Sequence, residues 1–341
     1  MEKEIKKDNK KIITIIITLF AVIAMALSSY FIATKTMNKE KDESTDSKSV
    51  EKEDKESISP LVYKVTKDGS DNVIYLFGSM HIVNLDEFDF PKYVMDAYNE
   101  SDYLAVEADI VEVQQRENFL MDYLTSYLYL DGTTIKDHLS EESYNKLVEF
   151  LKKKNSYDEK LEVYNLAFFE SLISSLVVAD AGINSNDGVD TYFLKKAKED
   201  KKNILEVESF EFQEKMINSF PDRLFELSIL SMIDNYDKQI EEMKRLYEIW
   251  KNGKESELIE LVETDEVDID EELSLEDKEI VKNYNYEMID KRNVGMKDKF
   301  ESYFENNQKV LFIVGAAHII GDNGIANLLI KDGYNVVAIN R

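Results

Sequence analysis

The sequence predicts an α/β (α+β) domain whose mixed β-sheet is built from the N- and C-terminal parts of the domain. Runs of β-branched and aromatic residues, typical of strands, cluster at residues 61–106 and 310–339. Between them, residues from about 112 to 289 have mostly helical character, which predicts a large helical insertion. An uncharged stretch at 12–34 predicts a transmembrane helix ahead of the domain. The simplest architecture pairs the two end regions in one sheet, with the insertion over its edge.

The N-terminus has the pattern of a membrane anchor. Residues 1–11 carry five lysines against three acids, and residues 12–34 then run without a charge. As a helix at about 1.5 Å per residue, this stretch would be about 34 Å long, enough to cross a bilayer. The basic flank predicts a cytoplasmic N-terminus and a single-pass cell-membrane protein with an extracellular C-terminal domain. A removed signal peptide, cleaved near Ala24-Met25-Ala26, is the alternative.

Composition narrows the function classes further. Residues 35–60 contain almost no apolar side chain, which predicts a disordered stalk before a domain at 61–341.

The formal net charge of −27 argues against a nucleic-acid partner, because phosphates would be repelled. The chain has no cysteine, so any metal ion must be held by His, Asp or Glu. No serine-hydrolase elbow, P-loop or HExxH motif is present, and the sequence leaves the oligomeric state open.

The first end of the domain predicts three strands. Residues 61–66 and 72–77 flank a turn containing Asp68-Gly69, which indicates a β-hairpin. The second of these strands runs directly into Gly78-Ser79-Met80-His81. Residues 103–106 predict a third strand, which is followed at once by the carboxylate of Glu107.

The middle of the chain is predicted to be helical, with one exception. Residues 203–207 indicate a short strand, and Glu208 stands at its end. The predicted helices cover 141–154 with Ser140 as N-cap, 163–181 as a core helix, 189–199, a helical hairpin over 211–254 around Pro221, and 297–306.

The last segment predicts a βαβ unit. Residues 310–314 indicate a buried strand, which runs into Gly315-Ala316-Ala317-His318. A short helix follows with Ile325 as its first apolar residue, and residues 334–339 indicate the next strand. A histidine therefore follows the first strand of this unit, at the edge where open α/β sheets bind ligands.

Two of the three histidines in the chain follow a strand in the same Gly-x-x-His pattern. A lone histidine after a strand is usually structural, but the repeat of this pattern in a histidine-poor chain favours a shared site. His81, His318 and one strand-end carboxylate, Glu107 or Glu208, would make three ligands for Zn²⁺ or a similar ion with a position open for water. Such a site predicts hydrolysis of a peptide or an ester.

At these residues the chain resembles the TraB/PrgY/GumN family, which includes the Tiki proteins. The resemblance rests on five segments in family order: LFGSMHIV at 76–83, YLAVEAD at 103–109, the stretch from GVDTYFL to FEFQ at 188–213, KRN at 291–293, and VLFIVGAAHIIGDNGIANLLIKDGYNV at 310–336. The resemblance implies a metal-dependent peptidase-like domain that uses Zn, Mn or Co and acts on an extracellular peptide or protein.

The resemblance also implies roles for individual residues. His81 and His318 would bind the metal ion, with Glu107 as a third ligand or as the general base. Glu208 would take whichever role Glu107 does not, and Arg292 or Asn293 would stabilise the developing oxyanion. Two alternatives remain open: a binding module that sequesters a peptide without cutting it, and a metal-free His/Glu hydrolase of the esterase type.

Overall fold

The protein is described here by a computed structural model that covers residues 55–184, 188–267 and 273–340. Within these residues a six-stranded mixed sheet has the order β4-β3-β5-β2-β1-β6. The strands are β1 Val62–Thr66, β2 Ile74–Ser79, β3 Tyr103–Val106, β4 Asn203–Glu206, β5 Val310–Gly315 and β6 Asn335–Ala338. The pairs β4-β3, β3-β5 and β5-β2 are parallel, whereas β1 is antiparallel to both of its neighbours.

The predicted origin of the sheet is confirmed, with one addition. Five strands come from the two ends of the domain, and β4 reaches the sheet edge from within the predicted helical insertion. The predicted hairpin is β1 and β2, and the last βαβ unit spans β5 to β6 with β2 and β1 lying between them. The two strands of that unit are far apart in the sheet because β6 pairs with the free edge of β1.

Helices cover both faces of the sheet, so alternate side chains of each central strand enter two separate hydrophobic cores. Phe77, Val106 and Ile313 enter one core, and Leu76, Ala105 and Phe312 enter the other. The helices are α1 Lys92–Glu100, α2 Ile110–Val113, α3 Phe119–Ser126, α4 Ile135–His138, α5 Glu141–Lys153, α6 Leu166–Asp180, α7 Val189–Asp200, α8 Phe210–Ile217, α9 Asp222–Asp234, α10 Tyr236–Lys251, α11 Glu255–Val267, α12 Leu275–Asn285, α13 Lys291–Glu305, α14 Ala316–Ile319 and α15 Ile325–Lys331.

Two predicted helical segments differ clearly from the structure in their bounds. The hairpin predicted over 211–254 is three helices, because Pro221 precedes one helix and Asn235 separates it from the next. The helix predicted at 297–306 begins earlier, at Lys291, and continues a π-helical turn at Tyr286–Asp290. That turn comes directly before Arg292 and Asn293, and π-helical turns are frequent at functional sites.

Most of the predicted N-terminal region lies outside the described residues. This holds for the basic segment 1–11, the membrane anchor 12–34 and nearly all of the stalk 35–60. Among the helices that the structure does describe, none is long and apolar enough to cross a bilayer. The anchor and the membrane topology remain predictions from the sequence.

Helix α6 is the buried core helix that the sequence predicts, and it carries an unusual polar residue. Asn165 caps its first turn by accepting from the amide of Phe168. Glu170 is only 2% exposed and accepts one hydrogen bond, from the hydroxyl of Ser228 at 3.2 Å. Burial raises the pKa of Glu170 to about 8, because the charged carboxylate is poorly solvated there. The folded protein therefore holds a proton on Glu170 at pH values where the unfolded chain has released it.

Replacing Glu170 by Gln should reduce the pH dependence of stability. Below about pH 4.5 the carboxyl is protonated in both the folded and the unfolded state. Between that pH and the folded-state pKa of about 8, only the folded protein keeps the proton, so a rise in pH favours unfolding. Between pH 5 and 7.5, wild type should therefore lose about 1.4 kcal/mol of unfolding free energy per pH unit relative to Glu170→Gln. Urea unfolding at several pH values measures this difference. Glu149→Gln, on the exposed face of α5, is the control, and parallel curves for wild type and Glu170→Gln would contradict the prediction.

Candidate functional site

The residues singled out from the sequence meet at one edge of the sheet. The carboxyl ends of the parallel strands β2, β3, β4 and β5 all point to this edge. The register pairs Ser79 with Gly315, so the two Gly-x-x-His turns leave the sheet side by side. The side chains that meet there are all buried or nearly so: His81, Glu107, Glu208, Arg292, Asn293 and His318.

His81 is held by an aspartate that the sequence analysis did not select. Its Nδ1 lies 2.8 Å from Oδ2 of Asp190 in α7, and Ser79 donates a hydrogen bond to the other oxygen of Asp190. The second ring nitrogen, Nε2, lies 3.8 Å from Oε1 of Glu107. Burial alone would lower the pKa of His81, but the two carboxylates outweigh it and raise the pKa to about 9.

The turn that carries His81 is packed tightly against the start of α7. The amide of Val189 donates to the carbonyl of Met80, and a Cβ on Gly188 would lie 2.1 Å from the carbonyl oxygen of His81. Only glycine permits this approach, since any side chain at 188 would displace the turn. The same close packing brings Asp190 within reach of the imidazole.

The carboxylate of Glu107 accepts three hydrogen bonds from fixed donors. Its Oε1 accepts from the amide of Gly315 at 2.8 Å, and its Oε2 accepts from Arg292 at 2.6 Å and from Gln213 at 3.0 Å. Burial would raise the pKa of this carboxyl, but Arg292 and the two histidines hold it well below its usual range. Glu107 is therefore ionised, and its charge is shared among fixed donors.

Arg292 and Gln213 join Glu107 to Glu208. Arg292 donates to Glu208 from Nε and Nη2, at 2.8 Å each, and Gln213 donates to it at 2.9 Å. The arginine side chain is about 1% exposed, so both ion pairs lie out of bulk water. A buried cation between two carboxylates fixes all three groups, because each would be strongly destabilised without the others.

His318 has a buried ring nitrogen without a hydrogen-bond partner among the described atoms. Its Nδ1 lies 2.7 Å from Oδ1 of Asn293, whose amide group in turn donates to the carbonyl of Asn323. Because Oδ1 only accepts, Nδ1 carries the ring proton and Nε2 is left with a lone pair. That Nε2 is buried and has no hydrogen-bond partner among the described atoms. Burial, reinforced by Arg292, lowers the pKa of His318 to about 3, so the imidazole is neutral.

The three groups converge above Gly315. A Cβ on this residue would lie 3.4 Å from Oε1 of Glu107, 3.5 Å from Nε2 of His81 and 3.6 Å from Cδ2 of His318. The absence of a side chain at Gly315 therefore leaves a small open space. Two imidazoles and one carboxylate surround it.

The donors around this space are of the kind that binds a divalent metal ion. Each imidazole has its Nδ1 hydrogen-bonded to an oxygen, which is the usual support for a histidine that binds metal through Nε2. An ion held at about 2.0–2.2 Å by each donor can span the 3.8 Å between His81 and Glu107. As the side chains stand, however, the described part of the chain contains no group of three His, Asp or Glu that meets the geometry of a metal site.

A pocket connects the site to the surface. His81, Glu107, Gln213 and Arg292 line its polar end, and the rest of the wall is Tyr123, Tyr127, Phe210, Glu214, Met216, Ile217 and Met288. Its empty space is about 420 Å³, including the part continuous with solvent. Water can therefore reach the carboxyl ends of these strands from outside.

The structure brings together all six residues selected from the sequence, and it adds two partners that no sequence pattern indicated, Asp190 and Gln213. Asp190 looks like an ordinary acid in the first turn of a helix, and only the packing of Gly188 against His81 reveals its role. Gln213 is a single polar residue within α8, with no local pattern that marks it. Asn293 was expected to act on an oxyanion, but both ends of its amide are engaged by His318 and Asn323.

Comparison with known proteins shows which family the chain resembles over most of its length. The family model described as TraB/PrgY/gumN matches residues 61–338, which is most of the chain. No curated protein and no solved structure matches the sequence.

Replacing Arg292 by Met should destabilise the protein strongly. The change leaves Glu107 and Glu208 buried without their shared cation, and breaking a buried pair in this way typically removes about 3–5 kcal/mol of unfolding free energy. Arg116→Met is the matched control, since Arg116 also contacts two carboxylates, Glu112 and Glu211, but does so in solvent. The control should lose little stability, and equal losses in the two variants by urea unfolding would contradict the prediction.

Proposed function

Because the chain belongs to the TraB/PrgY/gumN family, we propose that it is a metal-dependent hydrolase, a peptidase that acts on an extracellular peptide or protein. The observation that carries the proposal is the buried, unpartnered Nε2 of His318, on an imidazole whose Cδ2 borders the space above Gly315 together with Nε2 of His81 and Oε1 of Glu107. A lone pair kept out of water without a partner is unfavourable unless something binds it. With residues 12–34 as an anchor, the domain would act at the outer surface of the cell membrane.

The three donors proposed to hold the ion are Nε2 of His81, Nε2 of His318 and an oxygen of Glu107. A bound Zn, Mn or Co ion would lower the pKa of a coordinated water to about 7 and polarise the substrate carbonyl. His81 would give up its Nε2 proton on binding, which makes metal affinity dependent on pH.

The remaining residues orient these donors and handle protons. Asp190 and Asn293 each fix one imidazole ring through its Nδ1. Glu208 is the proposed general base when Glu107 is a ligand, because Gln213 and Arg292 hold it beside Glu107. The charge of Arg292, which lines the pocket, would favour the oxyanion that develops during attack on the carbonyl.

The proposal predicts metal binding that depends on two of the three histidines. The full chain, purified in mild detergent and incubated with Mn²⁺, Co²⁺ or Zn²⁺, should retain about one ion per chain after desalting, measured by elemental analysis. His81→Ala and His318→Ala should each lose the ion. His138→Ala is the matched control, because His138 stacks on Tyr129 and pairs with Asp222 away from the site.

Unchanged metal content in both site variants would overturn the metal assignment. If the wild-type chain hydrolysed peptides without bound metal, it would be the metal-free His/Glu hydrolase. Here His318, oriented by Asn293, and Glu107 would do the proton transfers without an ion.

The proposal also predicts new peptide termini. Incubation of a peptide mixture with the metal-loaded full chain should generate cleaved products that mass spectrometry identifies, and Glu107→Gln should reduce their formation by at least about a hundredfold. The melting temperature of Glu107→Gln shows whether the variant is folded. Peptide binding without any cleavage under all three metal ions would instead identify a sequestering module.

A further inference from the structure

The turn that carries His81 is held on a further side by α10, a helix that the proposed function does not use. The indole Nε1–H of Trp250 donates to the carbonyl of Gly78, the first residue of this turn, at 2.9 Å. A Cβ on Gly78 would lie 2.6 Å from Cδ1 of Ile319 in α14, the short helix that contains His318. Trp250 therefore fixes the start of one histidine turn where it packs against the other.

The surroundings of Trp250 leave its indole little freedom. Trp250 is the only tryptophan of the chain and is 2% exposed. Its ring centroid lies 6.1 Å from that of Phe88, and it is stacked with Tyr247 at 6.5 Å. A buried indole N–H needs an acceptor, and the carbonyl of Gly78 supplies it. Because Phe88 lies in the loop after His81, one side chain contacts both ends of the segment that carries this histidine.

The loop after His81 is held by the preceding turn of the same helix. The hydroxyl of Tyr247 donates to Glu87 at 3.0 Å and accepts from the amide of Asn84 at 3.1 Å. The side chain of Asn84 donates to the other carboxylate oxygen of Glu87 at 2.7 Å. The three residues close a ring of hydrogen bonds, so the loop cannot leave α10 without breaking them.

Lys251, the last residue of α10, supplies the charge at this contact. Its side chain is 5% exposed, and its ammonium lies 2.6 Å from Glu56, 2.7 Å from Glu248 and 4.0 Å from Glu87. A buried ammonium is stable only beside such partners. The cation therefore draws Glu56 and Glu87, which lie on either side of the β1–β2 hairpin in sequence, to the end of one helix.

The residues before β1 form an entry segment, residues 55–60, that packs against the same loop. The amide of Glu56 donates to the carbonyl of Glu87 at 2.7 Å, and Glu56 forms a parallel β-bridge with Phe88. Ile58 is buried in the same hydrophobic core as Phe88. Backbone, side-chain and apolar contacts thus fasten the entry segment to the loop that follows the first histidine turn.

The other end of the entry segment lies against the end of α10. Ser59 donates from its amide to the carbonyl of Lys251 at 2.7 Å and from its hydroxyl to the carbonyl of Asn252 at 3.1 Å. A Cβ on Gly253 would lie 2.1 Å from the carbonyl oxygen of Ser59, and the φ of +56° at Gly253 also favours glycine. The entry segment therefore crosses the end of α10 in close backbone contact.

We propose that Trp250 and Lys251 are positioning residues for His81, and that the entry segment, held by Lys251, helps to keep the His81 turn in place. The inference rests on the proposed function for the role of His81 as a metal ligand. The stretch before the entry segment leads back to the predicted anchor at 12–34. The geometry of the site is thereby tied to the point where the domain joins its stalk, and release of the entry segment loosens the turn.

Hydrogen exchange tests the mechanical part of the proposal without any metal. The full chain, purified in mild detergent, is compared with its Lys251→Met variant by mass spectrometry. Peptides covering 56–59 and 78–88 should exchange at least about fivefold faster in the variant, because their hydrogen bonds lose the ion pairs that hold them closed. Peptides from β3 and β5 should exchange as they do in wild type.

A matched control and a milder variant accompany this comparison. Lys254→Met is the control, since Lys254 pairs with Glu257 at 2.9 Å but is 50% exposed. Glu56→Gln removes only one partner of Lys251, at a side chain that is 55% exposed, and should accelerate the same peptides. Wild-type exchange of 78–88 in both Lys251→Met and Glu56→Gln would overturn the proposal. Acceleration that extends equally to β3 and β5 would do the same.

Metal binding tests the positioning of His81. Competition with a chromogenic chelator measures the Zn²⁺ affinity, which should fall about tenfold in Trp250→Phe and in Lys251→Met because the support of a metal-binding histidine is weakened. Trp250→Phe keeps an aromatic ring but removes the N–H donor. At saturating Co²⁺, the visible absorption bands should shift in Trp250→Phe, because they report the geometry of the ligands. A protein that is merely less stable would keep the wild-type spectrum.

The two readouts keep this proposal distinct from the proposed function. Wild-type affinity and spectrum in folded Trp250→Phe and Lys251→Met, with folding checked by melting temperature, would overturn the positioning role. A wild-type chain that binds no metal would overturn the proposed function instead. Hydrogen exchange would then still decide whether α10 and the entry segment hold the His81 turn.

Discussion

The buried ion network around Arg292 is the interaction on which the site depends. One guanidinium pairs with two carboxylates that follow adjacent strands, Glu107 after β3 and Glu208 after β4. Two carboxylates so close together would repel each other and take up protons if that cation were absent. Because the arginine comes from α13, the network also joins this helix to the sheet edge. Asn293, the next residue, is thereby placed against His318.

Much of this arrangement could be predicted from local sequence patterns. The strands ending near His81, Glu107 and His318 have unmistakable β-branched and aromatic composition, and parallel strands place their carboxyl ends at one edge. The repeated Gly-x-x-His pattern then indicated that the two histidines belong together. Gly315 explains part of that pattern physically, since a side chain there would occupy the space the site residues face.

Other features depend on contacts between distant segments, which no local pattern records. Asp190 and Gln213 resemble common helix residues, and their roles follow only from how α7 and α8 pack against the ends of β2, β3 and β4. The edge position of β4 within the helical middle and the π-helical turn before Arg292 are likewise consequences of tertiary packing. The membrane anchor at 12–34 remains a prediction, because it lies outside the described residues.

The separation of the site residues along the chain has a consequence for the newly made protein. Glu107 and its partner Arg292 are 185 residues apart, and the amide of Gly315 that also binds Glu107 lies 208 residues away from it. During synthesis the early segment carries a carboxylate whose buried partners are made only much later. The network around Glu107 can therefore form only after the late segment has folded onto the early one.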